Sequence, residues 1–197
     1  MAADERLERW LDGVLSTPGL TALRDRGEAR RVLLDDALRG AALVAAFDGP
    51  VVDVGSGGGT PGIPLAAALP DREVTLLEAN ARKCEFLRRW TSELTNLRVI
   101  EGRAEEQPTD AYGVAVAKAL ASPPVATEWA LALVRPAGAA ILWVGASADV
   151  VAVSIAAAKL GGGEVSAHDG LLVVPKVEPT PAGFPRRPGM ARKRPLA

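Results

Sequence analysis

Apolar residues recur at two different periods along this chain, and the change of period divides it. Within 4–15, Leu7, Trp10, Leu11, Val14 and Leu15 are spaced three and four apart, which is one face of an amphipathic helix. Ser16-Thr17-Pro18-Gly19 breaks that pattern. A second helical pattern covers 27–47, with Val32, Leu33, Ala37, Ala41, Leu43 and Val44 on its buried side. From Pro50 onward, short β-branched runs alternate with helical stretches. The predicted strands are 51–54, 73–78, 97–101, 112–117, 139–145, 163–168 and 171–177, and the predicted helices 61–69, 82–94, 123–134 and 147–160. Alternation at this spacing predicts a mostly parallel sheet covered on both faces. Gly161-Gly162-Gly163 reads as a helix stop, and Asp169-Gly170 as a hairpin turn between the last two strands. Residues 178–195, rich in proline and basic side chains, are expected to form an extended arm rather than a core element. The expected organisation is a helical cap over 1–48, a sheet domain over 49–177 and a basic arm over 178–197.

Composition narrows the classes. The chain has 197 residues, 48% hydrophobic and 24% charged, which suits one globular domain with a sizeable core. The single cysteine, Cys84, excludes an internal disulfide and a cysteine metal cluster, so no metal is expected and a reducing cytoplasm fits. One histidine, His168, removes most zinc-site and Ser-His-Asp options; it reads as a strand-end residue without a catalytic task. Trp10, Trp90, Trp129 and Trp143 read as core. Neither a signal peptide nor a membrane span is expected. Net charge is −1, but six cations against one anion after Pro175 leave that end at +5 and the rest at −6. Such asymmetry permits electrostatic contact with RNA through one end.

Chemistry concentrates after the first predicted strand. Val51-Val52-Asp53-Val54 leads into glycines at 55, 57, 58 and 59, then into the helical stretch 63–69. A strand turning through glycines into a helix brings backbone N–H groups close to a ligand. Glu78, about 20 positions beyond the glycines, falls where a ribose carboxylate sits in a mononucleotide-binding unit. No Gly-Lys-Ser/Thr follows, so a P-loop is not supported, and two nearby acids favour a cofactor without phosphates.

The stretch Asp53-Val54-Gly55-Ser56-Gly57-Gly58-Gly59-Thr60-Pro61-Gly62-Ile63-Pro64-Leu65 resembles the cofactor loop of the small-subunit rRNA guanine-N7 methyltransferases, also called glucose-inhibited division protein B. The Pro-Gly-Ile-Pro extension is more selective than the glycines. Further stretches agree in order: Leu77-Glu78, Arg82-Lys83, Phe86-Leu87-Arg88, Arg103-Ala104-Glu105-Glu106, Ala117-Lys118-Ala119-Leu120-Ala121 and Arg186-Arg187-Pro188-Gly189.

This resemblance implies an α/β fold, the class I S-adenosylmethionine (SAM)-dependent methyltransferase: a Rossmann-like, mostly parallel seven-stranded sheet with a terminal antiparallel hairpin and a short N-terminal helical cap. The implied reaction is methyl transfer from SAM to N7 of a guanine in small-subunit (16S) rRNA, by a cytoplasmic monomer acting on that RNA or on the small ribosomal subunit. The implied cofactor residues are Asp53, Gly55, Ser56, Gly57, Gly59, Pro61, Glu78, Ala79, Ala104 and Glu105. Lys118 takes the catalytic position, where the family usually has arginine. Arg82, Lys83, Arg186, Arg187 and Lys193 are the implied RNA contacts, with an arm able to fold back over the crevice or to reach the RNA. Gly19 and Val32 replace a usual asparagine and histidine, and Ala191-Arg192 interrupts the terminal motif. These departures keep open an enzyme of the same fold with another RNA or small-molecule acceptor, and a non-catalytic SAM-binding or ribosome-associated homologue.

Overall fold

The computed structural model describes residues 3–145 and 148–197. The cap comprises α1 (Ala3–Ser16), α2 (Arg26–Ala29), a π-helical turn (Arg30–Asp35), α3 (Asp36–Leu38) and α4 (Ala41–Ala45). Seven strands follow: β1 (Val51–Val54), β2 (Val74–Glu78), β3 (Leu97–Glu101), β4 (Tyr112–Lys118), β5 (Val134–Trp143), β6 (Ser166–His168) and β7 (Leu171–Pro175). They form one sheet in the order β3-β2-β1-β4-β5-β7-β6. Strands β1 to β5 are parallel, and β7 runs antiparallel to both β5 and β6. The order reverses at β1 and β4, and in an open sheet ligands bind outside the carboxyl ends of strands at such a point. Asp169 and Gly170, at φ 45° and 81°, turn the hairpin in the left-handed region that such tight turns require. Helices α5 (Gly62–Ala68), α6 (Ala81–Arg88), α7 (Pro123–Leu131) and α8 (Val150–Ala158) connect the strands, and α9 (Met190–Lys193) lies near the end.

Successive strand residues point to opposite faces, so parity sorts the core into two layers. Val51, Leu76, Val114, Val116, Ile141 and Trp143 pack with Trp10 and Leu11 of α1 and Ile63 of α5. Val52, Val54, Leu77, Ala115, Ala117 and Leu142 pack with Val125 and Trp129 of α7 and Val153 of α8. By the same alternation, Asp53 and Lys118 carry the parity of the first layer, the side on which the cap lies.

Several elements depart from their predicted form. The helix expected over 27–47 is interrupted. A Cβ at Gly40 would lie 2.3 Å from the Trp143 ring, and in the π turn the carbonyls of Val32 and Leu33 accept bonds from Lys118 and Thr60. Strand β5 starts at Val134, earlier than expected. It crosses β4 so closely that a Cβ at Gly138 would sit 2.1 Å from the Gly113 carbonyl oxygen, and the register shifts between Tyr112 and Val114. Helix α6 ends at Arg88 and continues as turns. Strand β6 is three residues long, because Gly162 and Gly163 first bond to Lys176 and Pro175 at the end of β7. Helix α8 begins at Val150, capped by Asp149 Oδ1 on Ala152 N–H at 3.0 Å; Ser147 of the expected helix lies outside the described residues.

The expected extended arm is the largest correction. Residues 178–197 fold back onto the domain, because they supply apolar and paired groups that the sheet can bury. Ala191 is 1% exposed in the second core layer. Arg186 pairs through both ends of its fork with buried Glu128 of α7, with Nε to Oε1 at 2.7 Å. Lys176, whose side chain is fully buried, donates to Leu131 O at 3.0 Å and Thr180 Oγ1 at 2.6 Å. Among the described residues no helix is long and apolar enough to cross a membrane.

Candidate functional site

The turn after β1 is built around Asp53. Its carboxylate is 1% exposed, and Oδ2 accepts the Gly62 N–H at the start of α5 at 3.0 Å. Burial pushes the acid up to about 7, opposed by that hydrogen bond. Its other oxygen has no hydrogen-bond partner among the described residues. Gly55 and Gly57 adopt φ 72° and 57°, conformations that favour glycine. The N–H groups of Gly55 and Ser56 bond to the Leu77 carbonyl at 2.8 and 3.1 Å, which ties the turn to the end of β2. The outer half of the loop belongs to the cap: Trp10 Nε1 donates to Gly58 O at 2.8 Å, and Thr60 Oγ1 to Leu33 O at 2.7 Å.

Beside this turn, at the carboxyl ends of β1, β2 and β4, lies a cavity of ≈ 340 Å³. That falls within the usual range of small-molecule sites. Glu78, 9% exposed, lines it. Its Oε2 accepts Gly57 N–H at 2.9 Å and its Oε1 accepts Asn80 N–H at 2.8 Å. A carboxylate oxygen has two lone pairs, so both oxygens keep capacity for a ligand hydroxyl. Other walls come from Val54–Gly55, Ala79, Lys83, 102–105, Ala119–Leu120, Trp129, Gly189 and Arg192. A second cavity of ≈ 210 Å³ lies between the ends of β4 and β5, its side chains apolar and its backbone partly exposed, lined by Ala117, Pro123, Ala126, Leu142 and Trp143 among others. The two cavities share Ala119 and Leu120. Ala119 sits at φ 52°, an uncommon conformation for a side-chain-bearing residue, so this divider is held by its surroundings.

The structure divides the residues singled out in the sequence. Gly55, Glu78, Ala79, Ala104 and Glu105 meet in the larger cavity, and Lys83, expected as an RNA contact, joins them. Asp53, Ser56, Gly57, Gly59 and Pro61 do not line it. Asp53 points by parity to the cap side and holds α5, and buried Ser56 donates to Asp53 O at 2.8 Å. Gly57 reaches the site through its bond to Glu78, whereas Gly59 faces Ile63 and Trp10.

Lys118 reaches toward the cap. Its ammonium is engaged with Asp36 and the Val32 carbonyl of the cap, and it lines neither cavity, although its register partner Trp143 lines the second. Arg186 is likewise committed, to Glu128, while Arg82, Arg187 and Lys193 are exposed. Trp129 is buried in the second core layer, as expected, and also walls the cavity. Gly189 and Arg192 were not among the expected site residues. The fold-back of the C-terminal segment, one of the two courses expected for the arm, brings them in, but no motif singled out these two residues.

The strand order, the glycine turn after β1 and the acid ending β2 are those of the class I methyltransferases. A solved predicted O-methyltransferase from Agrobacterium tumefaciens shares this fold, with a TM-score of 0.58 and 21% identity over 71% of this chain and 78% of that one. The chain belongs to the rRNA small subunit methyltransferase G family, whose model matches residues 5–158. It is 35% identical to the ribosomal RNA small subunit methyltransferase G of Chloroflexus aggregans, over 97% of this chain and 89% of the relative. It is 34% identical to the protein of the same name from Moorella thermoacetica, over 90% and 82%.

Proposed function

We propose that this protein is a SAM-dependent methyltransferase acting on N7 of a guanine in 16S rRNA, free or within the small ribosomal subunit. The observation that carries the reading is the pair of cavities divided by Ala119 and Leu120. One holds a buried carboxylate suited to a ribose, and the other is a slot lined by apolar side chains at the ends of β4 and β5. The residues present fit SAM. Glu78 would hold the ribose hydroxyls, Ala104 and Glu105 the purine, and the glycine turn would give backbone approach at Gly55. When bound, SAM supplies an electrophilic sulfonium methyl.

The chain's own task is then alignment. Guanine N7 has a free lone pair and no proton, so no general base is needed, and excluding water around two facing reactants provides the catalysis. The apolar slot would take the base, stacked rather than ion-paired, since Lys118 is withdrawn from it. Lys83 and Arg103 at the larger cavity, with exposed Arg82, Arg187 and Lys193, would meet RNA phosphates. An rRNA acceptor favours action in the cytoplasm, where this RNA resides.

The test is incubation of the protein with methyl-tritiated SAM and either small-subunit particles or free 16S rRNA, followed by nucleoside mass spectrometry. Label recovered as 7-methylguanosine is the expected result. Label confined to another RNA or to small molecules would overturn the acceptor, and tight SAM binding without transfer would overturn the enzymatic reading.

A further inference from the structure

The last residues of the chain form a wall of the larger cavity. Gly189, at φ 80°, donates its N–H to Glu105 Oε1 at 3.1 Å. Ala191, buried in the second core layer, anchors α9. Next to it, Arg192 lays its guanidinium 5.3 Å from the centroid of the Trp129 ring and donates through Nη2 to Leu120 O at 3.2 Å. Gly189, Arg192, Trp129 and Leu120 all line the cavity. Arg192 therefore bridges three separate parts of the chain around one ligand-sized space.

We propose that Arg192 is a positioning residue for the cofactor, clamping the C-terminal segment over the purine end of the cavity. This rests on the SAM reading above. The guanidinium suits the task because it is planar and permanently charged, so it stacks on an indole while its edge donates to a carbonyl. Its hold on Leu120 reaches further. A Cβ placed on Gly55 would lie 2.3 Å from Leu120 Cδ1, so Leu120 already rests against the glycine turn. Fixing the Leu120 backbone also fixes the divider between the two cavities.

The experiment is calorimetric titration of the full chain with S-adenosylhomocysteine and with 5′-methylthioadenosine, which shares the purine and ribose but lacks the amino-acid end. Arg192→Ala should weaken both ligands alike, by about tenfold. Arg192→Lys keeps the charge and loses the planar fork, and should recover part of that loss. Arg194→Ala, on an exposed neighbour, should bind as wild type does. Unchanged affinity for both ligands in Arg192→Ala overturns the clamp, as does a loss confined to S-adenosylhomocysteine. Should Arg192→Ala fail to fold, wild-type affinity in Arg192→Lys together with Arg192→Gln overturns it equally. Wild-type protein that binds neither ligand defeats the cofactor reading and the clamp together, whereas tight wild-type binding with an indifferent Arg192→Ala defeats the clamp alone.

Discussion

Lys118, the last residue of β4, forms an ion pair with Asp36 of the cap across 82 positions of sequence. Its register partner on β5, Trp143, donates from Nε1 to the backbone carbonyl of the same Asp36 at 2.8 Å. Two adjacent strand ends thus grip one residue of α3 and seat the cap against the sheet.

Replacing Lys118 with methionine tests that role. Asp36 keeps its pair with Arg39 at 2.7 Å, whereas the Val32 carbonyl loses its donor. The expected cost is about 2 kcal/mol, read as a lower urea midpoint at unchanged slope. Methyl transfer by the folded variant should stay within about tenfold of wild type. A collapse of transfer at full stability would return Lys118 to the chemistry.

Asp53 sets a pH dependence. Its acid titrates near 3.8 in the unfolded chain and at about 7 in the folded one, because burial disfavours the charge. Between these values the unfolded chain has released the proton and the folded chain retains it. Stability therefore falls as pH rises from about 4 to about 7, by roughly 4 kcal/mol at most. Asp53→Asn, neutral throughout, should flatten that part of the curve in urea titrations across this range. An identical slope in the variant would refute the assignment.

Glu78→Gln keeps the shape of the side chain and removes the charge that accepts Gly57 and Asn80 N–H groups. Hydrogen bonds to charged groups contribute roughly 1.5–3 kcal/mol. Affinity for S-adenosylhomocysteine should fall by about ten- to a hundredfold in the folded variant, and the melting temperature should drop as well, because the amide NH2 replaces one acceptor of a backbone N–H. Wild-type affinity would mean the carboxylate shapes the turn and does not meet the ligand.

Removing Arg186 strands a carboxylate. The Glu128 side chain is 2% exposed, and a buried charge left without its partner costs about 3–5 kcal/mol. Arg186→Ala should therefore unfold far more readily than wild type, whereas the double change Arg186→Met with Glu128→Met should recover most of the loss. If Arg186→Ala instead weakens RNA binding at unchanged stability, the arginine serves the RNA after all.

The sheet was readable because its signals are local. Residues 51–54 alternate between two buried faces, the glycines permit the left-handed turn that follows, and Asp169-Gly170 suits a hairpin whatever lies elsewhere. The meeting of Gly55, Glu78 and 102–105 at one edge follows from parallel strands ending on the same side. Side-chain direction was half readable. The pleat assigns Asp53 and Lys118 to the cap side of the sheet, but that assignment needs strand register, which a motif does not carry.

By itself, then, the sequence determined the element order, the parallel sheet with its final hairpin, and the glycine turn paired with an acid at the end of β2. Only the tertiary structure decided that Lys118 seats the cap, that Arg186 neutralises Glu128, and that Trp129 and Arg192 wall a cavity. The physical reason is range: backbone preference and apolar period act over a few residues, whereas a buried ion pair or a cation on an indole exists only where packing brings distant segments within a few ångströms.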